Sequence, residues 1–148
     1  MHRTAAGFTL LELLTALALV GVLSGIAVPQ LRRSLAGWRL NAAARQVVMD
    51  LKLARARAIV GGATARLHFG VPGSSYQHEQ QRGESYVATT PPTQLNDGIA
   101  IVDCTAAGDG VSFRPRGLAA AFGTITLRDP HGDERRVVVD IAGRMRVQ

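Results

Sequence analysis

Two arginine pairs repeat a two-residue spacing: Arg144-Met145-Arg146, which follows Gly143, and Arg114-Pro115-Arg116. On a strand, residues two apart share a face at a separation of about 6.6–6.8 Å. Arg144 and Arg146 are therefore expected to point outward together, with Met145 and Val147 pointing inward. Arg135-Arg136, on the preceding strand, adds a further guanidinium nearby, whereas Pro115 makes strand geometry less regular in the second pair. The planar guanidinium fork grips phosphate oxygens bidentately. Several such groups with few interleaved aromatics predict contact with a nucleic-acid backbone and not with base edges. A competing reading needs no ligand: charged side chains on an exposed sheet edge keep strands of different molecules from pairing.

The remaining polar residues suggest no catalysis. His2, His68, His78 and His131 lack metal-ligand spacing, and the single Cys104 has no CxxC partner. No nucleophile elbow, zinc-protease helix or phosphate-binding glycine loop is present. No catalytic residue, metal or cofactor is therefore expected. With one cysteine an intramolecular disulfide is excluded, which leaves the redox compartment open.

Glu12 stands out for its surroundings. It is the only charged residue among positions 8–28, a run of 21 largely apolar residues. As a helix that run measures about 31 Å, enough to cross a bilayer core. A carboxylate within such a helix costs about 2.5–3.5 kcal/mol on insertion scales, so it calls for a partner. Gly21 and Gly25 form a small-xxx-small pair, a feature common in membrane helices for reasons of composition alone.

Charge is distributed unevenly around the total of +6. Residues 30–60 hold seven basic side chains and one acid, residues 61–110 two and five, and residues 111–148 seven and four. Basic segments thus flank an acidic middle. Positive charge just past a membrane helix reads as lipid contact or orientation bias. At the distal end of the chain it needs another explanation.

The elements that position these residues follow from periodicity. Pro29 is expected to kink the first helix. Beyond it, Leu40, Ala44, Val47, Val48, Leu51, Ala54, Ala58 and Ile59 recur at three- and four-residue spacing, one face of an amphipathic helix, with Arg39, Arg45, Lys52, Arg55 and Arg57 largely elsewhere. Gly61-Gly62 caps its end. The period then changes to two. Strands are expected at Ala65–Phe69, Ser85–Thr89, Ile99–Val102, around Val111 and Phe113, at 124–128 and at 135–141, with Val137, Val139 and Ile141 inward. Residues 70–84 read as a polar loop, and Asp129–Asp133 as the turn of a hairpin. The fold class is α+β: one long N-terminal helix packed on an antiparallel sheet.

The stretch Gly7-Phe8-Thr9-Leu10-Leu11-Glu12, after a short basic leader, resembles the class III signal of type IV pilins and pseudopilins. The resemblance implies that a prepilin peptidase cleaves between Gly7 and Phe8 and methylates the new Phe8 amine. Glu12, one helical turn on, would then neutralise that amine on a neighbouring subunit in an assembly of identical helices. An ordinary signal peptide, cleaved near Gly25-Ile26-Ala27, is the alternative, and the early Glu12 fits it poorly.

Further along, Leu53-Ala54-Arg55-Ala56-Arg57-Ala58-Ile59, the stretch Val111–Gly117 and Gly123–Leu127 resemble the GspH/FimT branch of that superfamily. The Gly143-Arg144-Met145-Arg146 ending is similar to the C-terminal motif of FimT-like minor pilins, which bind DNA during natural transformation. Carried over, Arg144 and Arg146 are the DNA contacts and Gly143 shapes the turn, with Arg135, Arg136, Arg114 and Arg116 as further candidates. The implied organisation is a leader at 1–7, a transmembrane or filament-core helix at 8–29, and a periplasmic pilin-like domain at 30–148, with helix 30–60 and sheet 64–148. The implied partners are the prepilin peptidase, other pilins or pseudopilins, the inner membrane and the phosphate backbone of DNA. A GspH-like minor pseudopilin of a type II secretion system remains open, as does an unrelated membrane-anchored binding domain.

Overall fold

The computed structural model describes residues 9–95 and 98–148. The leader, Gly7 and Phe8 lie outside the described residues. The chain divides into two compact units, Met1–Leu35 and Ala36–Gln148.

Helix α1 runs from Leu10 to Gly61. Its start is a hydroxyl cap: the Thr9 side-chain oxygen accepts the Glu12 backbone N–H at 3.2 Å, so the Thr-x-x-Glu spacing has the positions of a capping box. Pro29 lies inside α1 without ending it; the lost N–H removes a single bond, to the carbonyl four residues back. In the first unit the large apolar side chains from Leu10 to Leu35 are all exposed. This part of the helix is long and apolar enough to cross a membrane.

The second unit is built around the other half of α1. Leu40, Ala43, Ala44, Val47, Leu51, Ala54 and Ala58 are buried, the stripe expected from their three- and four-residue spacing. Four of the seven are alanines, which lets sheet residues approach the helix closely. Val48 is only partly buried and Ile59 is half exposed, because they sit on the shoulders of the stripe. Gly62, at φ +62°, takes the left-handed turn that closes the helix without Cβ strain.

The expected single sheet is two sheets, and every pairing in them is antiparallel. The first holds β1 (Ala65–Phe69), β2 (Ser75–Arg82), β3 (Ser85–Ala88), β4 (Thr93–Gln94) and β6 (Gly110–Phe113). Its order is β3-β2-β1-β6, and β4 also pairs with β2. The second sheet is β5-β7-β8-β9, with β5 at Ala100–Cys104, β7 at Gly123–Arg128, β8 at Glu134–Val139 and β9 at Met145–Val147. A one-turn 3-10 helix, Ala107–Asp109, leads into β6.

Two corrections follow. Residues 70–84 are not a loop: β2 occupies their centre. Its Ser-Tyr-Gln-His-Glu-Gln-Gln-Arg composition is polar, but it alternates, and Tyr76 and His78 are buried. Pairing with β1, from Ala65↔Gln80 to Phe69↔Tyr76, fixes the register. Ile141 does not face inward. It is 62% exposed, because β8 ends at Val139 and the chain turns over Asp140, whose carbonyl accepts the Gly143 N–H at 2.9 Å. The β7–β8 hairpin itself is as expected, with its turn held by Asp129, whose Oδ1 accepts the N–H groups of His131 and Asp133, both at 2.9 Å.

The buried core runs from Leu40 to Val139 and brings together α1 and both sheets. All of it lies within Ala36–Gln148, so this segment carries the whole of the buried apolar surface that a fold of its own requires.

Candidate nucleic-acid interface

Gly143 is buried, and its backbone is left-handed at φ +76°. A Cβ built there would lie 2.7 Å from the carbonyl oxygen of Gly117. No other residue fits both demands. The close approach arises because the 114–117 turn, closed by the Gly117 N–H on the Arg114 carbonyl at 2.8 Å, sits against the turn after β8. The Ala119 N–H also donates to the Ile141 carbonyl at 3.1 Å.

Arg55 of α1 completes this junction. Its Nε donates to the Gly117 carbonyl at 2.7 Å and its Nη1 to the Gly143 carbonyl at 3.3 Å. One half-buried guanidinium thus ties a loop of the first sheet to a loop of the second. The two Arg-x-Arg motifs, thirty residues apart in sequence, are displayed from adjoining loops. Sequence reasoning left Arg55 on the polar side of the helix. The available signal was its spacing, four residues after Leu51 and three before Ala58, which puts it on the shoulder of the buried stripe.

Arg144, Arg146, Arg114 and Arg116 are all exposed. Arg144 is not on a strand; it precedes β9. Its backbone N–H donates to Asp140 Oδ1 at 2.9 Å and its Nε to Oδ2 at 2.7 Å. The Arg144 backbone N–H first, and its side chain second, hold the Asp140 carboxyl below its ordinary pKa. Arg146 lies within β9, opposite Val138. Met145 is partly buried against the core as expected, but Val147 is exposed, since the last strand reaches the margin of the core. Among the described residues, Arg114, Arg116 and Arg146 make no ion pair.

Arg135 and Arg136 part company. Arg135 shares a face with buried Val137 and is half buried, donating through Nε to Asn41 Oδ1 at 2.9 Å and through Nη1 to the Glu134 carbonyl at 2.9 Å. It ties β8 to α1 and does not join the surface cluster. Arg136 is exposed on the opposite face, the one that carries Val138 and, across the ladder, Arg146. Arg136 and Arg146 are therefore diagonal neighbours. Glu134 lies 3.5 Å from Arg136 and 2.6 Å from Arg128; its hydrogen bond from Arg128 is the main cause of its lowered pKa.

The result is a corner where Arg114, Arg116 and Arg144 stand on adjoining loops, with Arg146 next along β9 and Arg136 diagonal to it; of these five exposed guanidinium groups, three are unpaired among the described residues. Such a surface attracts polyanions and supplies bidentate donors to phosphate. Among the described residues no group of His, Cys, Asp and Glu side chains is placed to hold a metal ion. Cys104 is buried, and burial raises its thiol pKa, so it carries little thiolate.

A long N-terminal helix whose second half packs on antiparallel sheets defines a pilin-like protein. Residues 43–143 match the family described as type II transport protein GspH, and residues 2–28 match the prokaryotic N-terminal methylation motif. The chain belongs to the GspH family of the type IV pilin superfamily. No curated protein matches it in sequence. Among solved structures it is similar to the minor pseudopilin EpsH from the type 2 secretion system of Vibrio cholerae, with TM-score 0.61 and 16% identity over 74% of this chain and 96% of that one. It is also similar to the type IV minor pilin FimU of Pseudomonas aeruginosa, with TM-score 0.61 and 17% identity over 74% and 87%. At these identities the likeness is one of fold.

Proposed function

We propose that the protein is a FimT-like minor type IV pilin that joins a pilus and binds the DNA backbone without sequence preference, as in uptake for transformation. Cleavage between Gly7 and Phe8, methylation of the Phe8 amine and pairing of Glu12 with that amine on a neighbour belong to the same proposal. So do the leader at 1–7, the membrane or filament helix at 8–29 and a periplasmic domain at 30–148. One observation carries the DNA reading: Arg114, Arg116 and Arg144 stand on two loops that share one anchor, Arg55, and Arg146 follows directly on β9. Arg136 borders them through β9. Arg135, engaged with Asn41, is left out. Gly143 acts through the loop junction.

The test uses the full chain in a neutral detergent and fluorescence anisotropy on duplex DNA over a range of salt. Each phosphate contact contributes about −0.9 to the slope of log affinity against log salt, so four arginines give about −3.6. Arg144→Ala with Arg146→Ala shrinks that slope by about two units and weakens all sequences alike. Arg39→Ala with Arg45→Ala removes equal charge from exposed positions on α1 and leaves most of the affinity. Equal losses in the two double variants would reduce binding to general basicity. Asp140→Asn keeps an acceptor for the turn, frees Arg144 of its counter-charge and raises affinity.

The second reading is a GspH-like minor pseudopilin of a type II secretion system. The description of the matching family favours it. Under it the corner contacts a protein neighbour, and the anisotropy experiment gives no salt-sensitive binding at low ionic strength.

A further inference from the structure

On the flank of α1 away from the arginine corner lies a groove of about 510 Å³, within the range of about 300–1,000 Å³ typical of ligand sites. Leu53, Ala56 and Val60 form its helical wall, and Ala65, His78 and Gln80 are among its sheet residues. The wall residues follow helical spacing on a face beside the core stripe. Val60, at 89% exposed, is covered by nothing among the described residues.

Two polar atoms give the groove a chemistry. Arg57 and His78 both line it, and Arg57 Nη1 and His78 Nδ1 are buried without a hydrogen-bond partner. His78 is only 5% exposed. Its other ring nitrogen, Nε2, lies 3.4 Å from Asp50 Oδ1, and the second Asp50 oxygen accepts the Tyr76 hydroxyl at 2.5 Å. Burial first, and the Arg57 charge second, lower the His78 pKa, so the ring is neutral at pH 7. With the proton on Nε2 facing Asp50, Nδ1 is left as an acceptor lone pair. The acid that lines the groove, Glu79, is tied to Arg66 at 2.5 Å. Arg57 therefore has no carboxylate among the described residues.

The groove thus lacks two things: an anion for a guanidinium N–H and a donor for an imidazole lone pair, next to an apolar wall. The last residue of a polypeptide supplies all three, through its carboxylate, its peptide N–H and an apolar side chain. An internal acidic residue supplies the carboxylate and a peptide N–H but has no apolar side chain of its own. We propose that this groove captures the apolar C-terminus of a partner polypeptide, with the carboxylate on Arg57, the last peptide N–H on His78 Nδ1 and the side chain against Leu53, Ala56 and Val60. Both atoms are enclosed in the free chain, so capture requires the Arg57 head to swing toward the groove as the peptide enters.

The experiment uses segment 36–148, which holds the whole core, and two-dimensional NMR. The probe is acetyl-Ala-Leu-Leu with a free carboxylate, compared with the same peptide as its C-terminal amide. The acid shifts resonances of Leu53, Ala56, Val60 and His78, and the amide binds at least about tenfold more weakly, as loss of a charge-assisted contact requires. Arg57→Gln removes the difference between the two peptides. Equal affinity of acid and amide for the unmodified protein would overturn the proposal and leave an apolar groove for internal segments. Absence of shifts at millimolar peptide, or shifts confined to the arginine corner, would overturn it as well.

Discussion

Replacing Arg55 by Met keeps an apolar stem of similar reach but removes both side-chain donors that join the two loops, leaving the backbone bond from Ala119 to Ile141. The lost bonds are a short one, 2.7 Å to Gly117, and a long one, 3.3 Å to Gly143. A hydrogen bond to a charged group contributes about 1.5–3 kcal/mol. Counting the short bond near the middle of that range, and the long one as minor because the side chain is half exposed, gives a loss of about 2 kcal/mol. For a unit of this size each kcal/mol lowers the melting temperature by roughly 4 °C, so segment 36–148 should melt about 8 °C lower. Arg55→Lys, which can still reach one carbonyl, should recover part of this. DNA affinity measured well below the melting range should fall in Arg55→Met, because Arg114 and Arg116 no longer stand beside Arg144 and Arg146. A melting temperature within about 1 °C of the parent protein would mean that the two bonds contribute little net stability. Unchanged DNA affinity despite a lowered melting point would show that the junction serves the fold and not the corner.

Three further outcomes are expected. In cells containing the prepilin peptidase the mature protein begins at Phe8 with a methylated amine, and intact mass shows the unprocessed chain when the peptidase is deleted; a start near Val28 would exclude this processing. Glu12→Ala leaves membrane insertion intact, since it removes a charge from an apolar helix, but impairs assembly, and normal filament incorporation would refute the pairing with Phe8. The lowered pKa of His78 makes stability fully present above about pH 6.5 and progressively lost as pH drops toward the folded-state value, because the unfolded chain takes up the proton first. Melting curves from pH 7.5 to 5 should show this decline, with a shallower one in His78→Gln.

Period and cap chemistry made most of the architecture legible. The stripe from Leu40 to Ala58, the Gly61-Gly62 stop and the Asp129–Asp133 turn each follow from local rules that tertiary packing did not override. The strand β2 was not legible, because its inward side chains are Tyr76 and His78, which count as polar in a hydrophobic pattern yet bury well when their hydroxyl and ring nitrogen find Asp50. The division into two sheets was equally hidden, since alternation reports which face of a strand is buried and says nothing about its neighbour. At the corner, Arg144 and Arg146 were visible as a motif, but their relation to Arg114 and Arg116 depends on Arg55, whose contacts span 62 residues to Gly117 and 88 to Gly143. Two adjacent arginines on a strand face opposite sides, so one further guanidinium was expected from Arg135-Arg136, and which of the two it is depends on the contact of Arg135 with Asn41.

The tie made by Arg55 also bears on how this surface can change over generations. It grips only main-chain carbonyls, and Gly143 is required for its lack of a side chain. The loops therefore stay in place whatever side chains stand at 114, 116, 144 and 146. Divergence at those four positions is nearly neutral for folding, so a lineage can trade one binding partner for another by substitutions that leave the scaffold untouched. Drift at Arg55, Gly117 or Gly143 carries the opposite consequence, since a change at any of them disturbs both loops together. Within a set of descendants, the side chains at 114, 116, 144 and 146 should vary widely around a backbone anchor that hardly varies at all.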